Sequence, residues 1–376
     1  MFERIRTMLV KEFLQLFRDP RMRMLIFAAP MIQLLVFGYA ATTDVRLVAT
    51  AVFDLDNTPA SRELIDRFLG SGYFRRVEQV DTEARMQDLL DHGRVRAVIR
   101  IQKGFFEDLK ARRTASVQMI VDGTDSNTAG IVLNYAGQIA ARYSQDILVS
   151  RWEHVLGAAP RPGQIRLQER AWFNENLESR NYYVPGVMAN IVMLITLTLT
   201  GMAVIREYEI GTMEQIMVTP IRPVEFILGK SLPFVLIGYV DVLLVTAVCV
   251  FWFKVPIRGS FLLLLAATAL YLLPSIGLGL LVSTICKTQQ QAMMSTFFLF
   301  FPAMMLSGFI FPIANMPTVI QWLTLLNPLR YFLIIIRGIF LKGVGPDILW
   351  PQMAALAVLG VATLWLAVRR FHKTLA

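Results

Sequence analysis

Five long apolar stretches crowd the second half of this 376-residue chain and a sixth lies near its start, while residues 44–180 contain none. A membrane-crossing helix needs about 20 mostly apolar residues. Lipid leaves no partner for free backbone polar groups, so such stretches must be helical. The pattern therefore predicts an α-helical polytopic membrane protein with six transmembrane helices and an inserted α/β domain. The spans expected are Met24–Thr43, Tyr183–Ile205, Ser231–Phe253, Phe261–Cys286, Ala292–Pro312 and Ile348–Val368. Tyr331–Leu341 is apolar but too short to cross alone, and reads as a re-entrant or interfacial helix. Composition agrees: 17% of residues are charged, against about 25% in soluble domains.

Charge separates the two parts. Residues 44–180 hold 19 Lys/Arg and 19 Asp/Glu, so the entire formal charge of +9 belongs to the remainder. The basic residues flank spans, which points to orientation rather than to nucleic acid. The N-terminal segment, the tail and Arg206, Arg222, Lys230 and Lys287 share one side and total 13 basic residues. The opposite short loops hold five: Lys254, Arg258, Arg330, Arg337 and Lys342. The positive-inside rule puts both termini in the cytoplasm and 44–180 outside. The first span has 23 residues before it, with Pro30 and Gln33 inside it, and reads as a retained anchor rather than a cleaved signal. Cys249 and Cys286 fall in spans and read as small apolar residues.

The expected organisation is an amphipathic helix over 1–23, the first span over 24–43, and an external domain over 44–180. A membrane region follows over 181–368, then a cytoplasmic tail over 369–376. Inside the membrane region lie a cytoplasmic loop, 206–230, and an external re-entrant segment, 313–345. In the external domain, strands are predicted at Arg46–Asp54, Val95–Ile101, Ser116–Val121 and Ile165–Phe173. Helices are predicted at Thr58–Leu69, Thr82–His92, Gly104–Arg112 and Ser126–Trp152. Ser275, Gly277, Gly279 and Ser283 form a small-residue ridge that permits close helix approach.

The loop reads REYEIGTMEQIMVTPIRPVEFILGK. A short helix with an acidic start, closed by Thr219-Pro220, is shaped either to dock on a partner or to lie on the membrane. Its E-x-x-x-G-T-x-E-x-x-x-x-T-P pattern, Glu207–Pro220, resembles the signature of ABC-2 type transporter permeases. So do Lys11–Arg21 (KEFLQLFRDPR), Ser307–Pro317 (SGFIFPIANMP) and Asn327–Tyr331 (NPLRY). Val121–Ala129 (VDGTDSNTA) and Asn181–Asn190 (NYYVPGVMAN) resemble the bacterial export subgroup with a large periplasmic domain between the first two spans.

The resemblance implies the ABC-2/ABCG-like export fold in the bacterial inner membrane, paired with a second permease copy or paralogue. It implies a cytoplasmic ABC ATPase that carries ATP and Mg, and a periplasmic adaptor in many relatives. It makes Glu207, Glu209, Gly211, Thr212, Glu214, Thr219 and Pro220 the ATPase-coupling element. It makes Ser307–Tyr331, with Asn327, Pro328, Arg330 and Tyr331, the external re-entrant helices.

No G-x-x-x-x-G-K-[ST] phosphate loop occurs in the sequence. No catalytic constellation or metal-binding histidine cluster is legible, so no cofactor is expected on this chain. Asp241 is the one acidic residue well inside a span, either functional or a structural hydrogen-bonding group. Asp241, Met304 and Phe301 are the candidates for the translocation path. Arg330 and Arg337 are seven apart, on one helical face, and read as interfacial anchors or as attractors of anionic groups. The function expected is a permease subunit that exports a hydrophobic or amphiphilic substrate, drug-like or lipid-like, powered by a separate ATPase. The alternative is a non-transporting signalling or assembly subunit that relays ATPase cycles to its periplasmic domain.

Overall fold

The computed structural model describes residues 2–40, 47–156, 172–174, 178–212 and 223–374. The chain divides into two compact units, Met1–Thr42 with Arg170–Ala376, and Thr43–Glu169. Helix α1 spans Phe2–Arg18. A π-turn, Met24–Ala28, leads into α2, Ala29–Ala40.

The second unit is built on a four-stranded sheet: β1 Val48–Asp54, β2 Phe74–Gln79, β3 Ala97–Ile101 and β4 Val117–Val121. Its helices are α3 Pro59–Gly70, α4 Glu83–Asp91, α5 Phe105–Lys110 and α6 Ser126–Leu156. The strand order is β2-β1-β3-β4, with β1 parallel to both neighbours and β4 antiparallel to β3. Alternation along β1 sends Val48 and Val52 to one face, against Leu64 and Phe68 of α3 and Val132 of α6. Ala51 and Phe53 face the other way, against Met86 and Leu89 of α4. Both faces are covered, as parallel pairing requires. Thr58 caps α3 in a reciprocal capping box with Ser61, with Pro59 at the first helical position. The turn motif at Asp122 and Asp125 is equally local. Thr124 donates its amide to Asp122, and Thr128 donates its amide to Asp125 at the start of α6. Most of the strand expected at Ile165–Phe173 lies outside the described residues. β2, FRRVEQ, has no counterpart among the expected strands; four of its six residues, Arg75, Arg76, Val77 and Gln79, are exposed.

The first unit continues with α7 Ser179–Ile210, α8 Pro223–Phe251, α9 Phe261–Ile285 and α10 Gln289–Met305. A short helix α11, Thr318–Leu323, precedes α12, Pro328–Arg337, which runs on into a π-turn, Gly338–Lys342. The last helix is α13, Pro346–Thr374. Among the described residues four helices, α7, α8, α9 and α13, are long and apolar enough to cross a membrane. Thr318–Leu326 and Pro328–Lys342 together pass the same test but are bent by 84°. Of the first expected span, Met24–Tyr39 is an apolar helix, and residues 41–43 lie outside the described residues. The fifth is shorter than expected: α10 stops at Met305, before the left-handed Gly308 at φ +83°.

α7 is the centre of this unit: every residue from Val184 to Ile205 except Leu194 is buried, and it packs against α2, α8, α9, α10 and α12. Close approach depends on missing side chains. A Cβ on Gly279 would lie 2.8 Å from Cβ of Thr200 on α7 and 3.0 Å from the Leu197 carbonyl oxygen. One on Gly277 would lie 2.7 Å from Cβ of Thr363 on α13. The small residues of α9 thus seat two neighbouring helices.

Candidate functional site: a buried ion cluster at the end of α7

The helix α7 runs five residues past the expected end of its span. It carries Glu207 and Glu209 in its last turn and closes on Gly211 at φ +77°. The amide of Gly211 donates to the Tyr208 carbonyl (3.2 Å) and that of Thr212 to Glu207 (3.0 Å). A left-handed closure of this kind favours glycine, which has no Cβ to strain. The loop expected over 206–230 is therefore shorter, because helix consumes both of its ends. Glu214, Thr219 and Pro220 lie outside the described residues.

Glu207 is 1% exposed. Its carboxylate accepts from Lys230 Nζ at 2.7 Å, from Lys11 Nζ at 3.1 Å to each oxygen, and from the Thr212 hydroxyl. Lys230, also 1% exposed, sits within α8 rather than at the flank of a span. It donates to the Ala203 carbonyl (3.3 Å) and pairs with Glu12 at 2.6 Å. Two carboxylates and two ammonium groups from α1, α7 and α8 thus form one locally neutral cluster. Burial of a lysine is tolerated only with such partners. Glu209 is also engaged: the backbone amide of Gln289 donates to it at 2.8 Å and the Gln289 side chain donates to its other oxygen. This places a negative charge at the N-terminus of α10, where the helix dipole favours it.

Of the residues expected to form the ATPase-coupling element, Glu207 is buried and Glu209 is exposed, and both carboxylates accept hydrogen bonds within the chain. Glu12 and Lys230 carried no such expectation. The K-E pair of the Lys11–Arg21 motif meets the Glu207 motif across 196 positions of sequence, and spacing alone does not reveal that contact.

The path candidates separate. Met304 and Phe301 line one cavity of about 130 Å³ with Gln33, Phe37, Asn190 and Phe297, between α2, α7 and α10. Asp241 does not border it. Asp241 is fully buried on α8, and neither carboxyl oxygen has a hydrogen-bond partner among the described residues. The NPLRY segment forms a corner. Asn327 caps α12 by accepting from the Leu329 amide (3.1 Å) and donates to the Ala303 carbonyl (2.6 Å), with Pro328 at the first helical position. Arg330 donates to the Thr324 hydroxyl, and Tyr331 donates to the Leu325 carbonyl at 2.9 Å.

The sequence profile of the ABC-2 family transporter protein family matches residues 20–369. The chain is 33% identical over 363 residues to the Escherichia coli protein named "Probable multidrug ABC transporter permease YbhR", covering 96% of each. It is 33% identical over 379 residues to "Probable multidrug ABC transporter permease YbhS" of the same species, covering 98% of this chain and 97% of that one. It is 30% identical over 383 residues to "Inner membrane transport permease YhhJ", covering 97% and 96%. With nearly the whole length matched, the chain belongs to the ABC-2 family of transporter permeases.

Proposed function

We propose that this protein is the transmembrane permease subunit of an ATP-binding-cassette exporter. It moves a hydrophobic or amphiphilic substrate, drug-like or lipid-like, out of the cytoplasm or inner membrane. The observation that carries this reading is full-length kinship to bacterial permeases, two of them named for multidrug transport. A cytoplasmic ABC ATPase binds ATP and Mg and supplies the energy, and a second permease copy or paralogue completes the pathway. Six crossings, counting Met24–Tyr39 and α10 as short spans, put both termini in the cytoplasm and residues 44–180 in the periplasm.

The coupling element is the segment after Gly211, which includes Glu214, Thr219 and Pro220. Glu207 and Glu209 are positioning residues for it. The buried cluster locks the end of α7 to α1 and α8, so a push on 211–222 moves three helices rather than fraying one. The aromatic and methionine lining around Met304 and Phe301 suits varied apolar substrates, since thioethers adapt their shape.

The test is reconstitution of the permease with its neighbouring ATPase in vesicles, scoring ATP-dependent transport of an amphiphilic dye. ATP-dependent dye movement that disappears without the permease supports export. A complex that hydrolyses ATP and changes the protease sensitivity of residues 44–180, yet moves no dye or lipid, would transfer support to the signalling alternative.

A further inference from the structure

Helix α1 presents two apolar faces. On one, Glu12 and Leu16 are buried and Met8 lies against Gly229 of α8, so the helix is pinned to the bundle through the ion cluster. On the other, Val10, Leu14 and Phe17 are 52%, 57% and 47% exposed. Spacings of four and three residues put these three side chains in one row, on the side of the helix away from Glu12 and Leu16. The row continues past the end of α1. Phe17 stacks on Phe13 with ring centres 6.2 Å apart and on Phe27 of the π-turn at 6.4 Å. Met24 and Phe27 are exposed as well. The apolar face therefore runs from α1 into the apolar helix Met24–Tyr39. Contiguous exposed apolar surface of this kind marks a binding face.

Charge indicates what covers it. The two acidic residues between positions 6 and 23 are both engaged within the protein, Glu12 with Lys230 at 2.6 Å and Asp19 with Arg206 at 3.9 Å. Lys11 is directed to Glu207. The charges left on the surface, Arg6, Arg18 and Arg23, are all positive and exposed. By helical spacing Arg6 and Arg18 flank the apolar row on either side, and Arg23 stands where the row passes into the π-turn. An apolar row bordered by cations matches a lipid surface with anionic headgroups.

We propose that this face of α1 docks on an anionic lipid leaflet. Val10, Leu14 and Phe17 enter the boundary between headgroups and acyl chains, and Arg6, Arg18 and Arg23 meet the lipid phosphates. The continuity of the row with Met24 and Phe27 keeps the contact at the depth where the first apolar helix begins. The contact requires no substrate movement, so it is independent of the transport reading.

The experiment is hydrogen–deuterium exchange of the full-length permease, without ATPase, in nanodiscs of phosphatidylcholine or of an equal mixture of phosphatidylcholine and phosphatidylglycerol. The α1 amides are expected to exchange at least about tenfold more slowly in the anionic discs. Arg18→Gln is expected to remove about a fivefold part of that protection, the scale of one basic group at an anionic surface. Arg6→Gln, Arg18→Gln and Arg23→Gln together are expected to abolish the difference between the lipids, and Arg75→Gln on the exposed strand β2 to leave it unchanged. Leu14→Asp keeps every arginine, sets a carboxylate among the headgroups and is expected to lower the protection too; Leu14 is exposed, so this variant tests the face without opening the core. Equal exchange in the two lipids, or protection that survives both the triple arginine variant and Leu14→Asp, would overturn the proposal. Protection that appears only when the ATPase is added, and equally in either lipid, would overturn it as well, since the face would then belong to that protein.

Discussion

Two ion networks in this molecule have similar chemistry and opposite surroundings. In the α/β unit, Arg85 pairs with Glu78 at 2.9 Å and with Asp88 at 2.7 Å, all three open to water. In the helical unit, Lys230 pairs with Glu207 at 2.7 Å and Glu12 at 2.6 Å, with all three buried. Bond lengths do not distinguish them. The surface network exchanges one set of well-hydrated partners for another and is screened by salt. The buried network cannot exchange its partners for water. It is therefore weak evidence of stability gained and strong evidence that each member depends on the others.

That contrast is broken most directly at Lys230. Lys230→Met leaves Glu207 with Lys11 and takes from Glu12 its ion pair at 2.6 Å, and is expected to cost about 3–5 kcal/mol. The measurement is the unfolding temperature of the detergent-purified protein, and a shift no larger than that of a surface variant would refute the reading. Adding Glu207→Leu to Lys230→Met removes one stranded charge, and is expected to regain a substantial part of the loss while leaving coupling impaired.

Asp56 sharpens the comparison from between the two extremes. Partial burial pushes its carboxyl upward. Hydrogen bonds from the Thr58 hydroxyl (2.7 Å) and from the amides of Phe106 (3.1 Å) and Gly104 (2.8 Å) outweigh that, and hold it below the usual 3.8. The folded value being the lower one, its contribution is complete above pH 3.8 and disappears as pH falls through the folded value. Asp56→Asn is expected to cost about 1 kcal/mol, read as faster hydrogen exchange of the α5 amides, and to flatten that acid dependence. The smallest effect belongs to Glu78→Gln. Arg85 beside it lowers the Glu78 carboxyl, yet contact with water leaves a change within error at physiological salt, visible only at low ionic strength. A large loss of stability there would erase the distinction between the two networks.

How far the sequence anticipated these features follows the range of the interactions involved. β1, β3 and β4 are short apolar runs rich in β-branched residues (VATAVFD, AVIRI and VQMIV), so they are visible as strands. β2 is a sheet-edge strand exposed along most of its length, and FRRVEQ is no such run. The long helices are legible as apolar runs, but their ends are not. α7 continues through Arg206–Ile210 because Glu207 finds cations on two other helices and Gly211 supplies the closure. Lys230 resembles a span-flanking charge in the sequence; only the fold brings Glu12 and Glu207 to it. Likewise Met304 and Phe301 share a cavity, whereas Asp241, chosen by the same reasoning, lies elsewhere on α8. Membership in the ABC-2 family was legible from ordered motifs, several of which prove to be caps and corners, such as Asn327 at the start of α12.

We propose that the segment after Gly211 transmits ATPase action into α7. The most direct measurement is co-purification of the tagged permease with its neighbouring ATPase, scoring ATP hydrolysis in lipid for the wild type, Gly211→Trp and Glu214→Arg. Both variants are expected to lose the complex or its permease-dependent hydrolysis while the membrane fold stays intact. Complexes that form and hydrolyse ATP as the wild type does would contradict it and place the docking surface elsewhere on the chain.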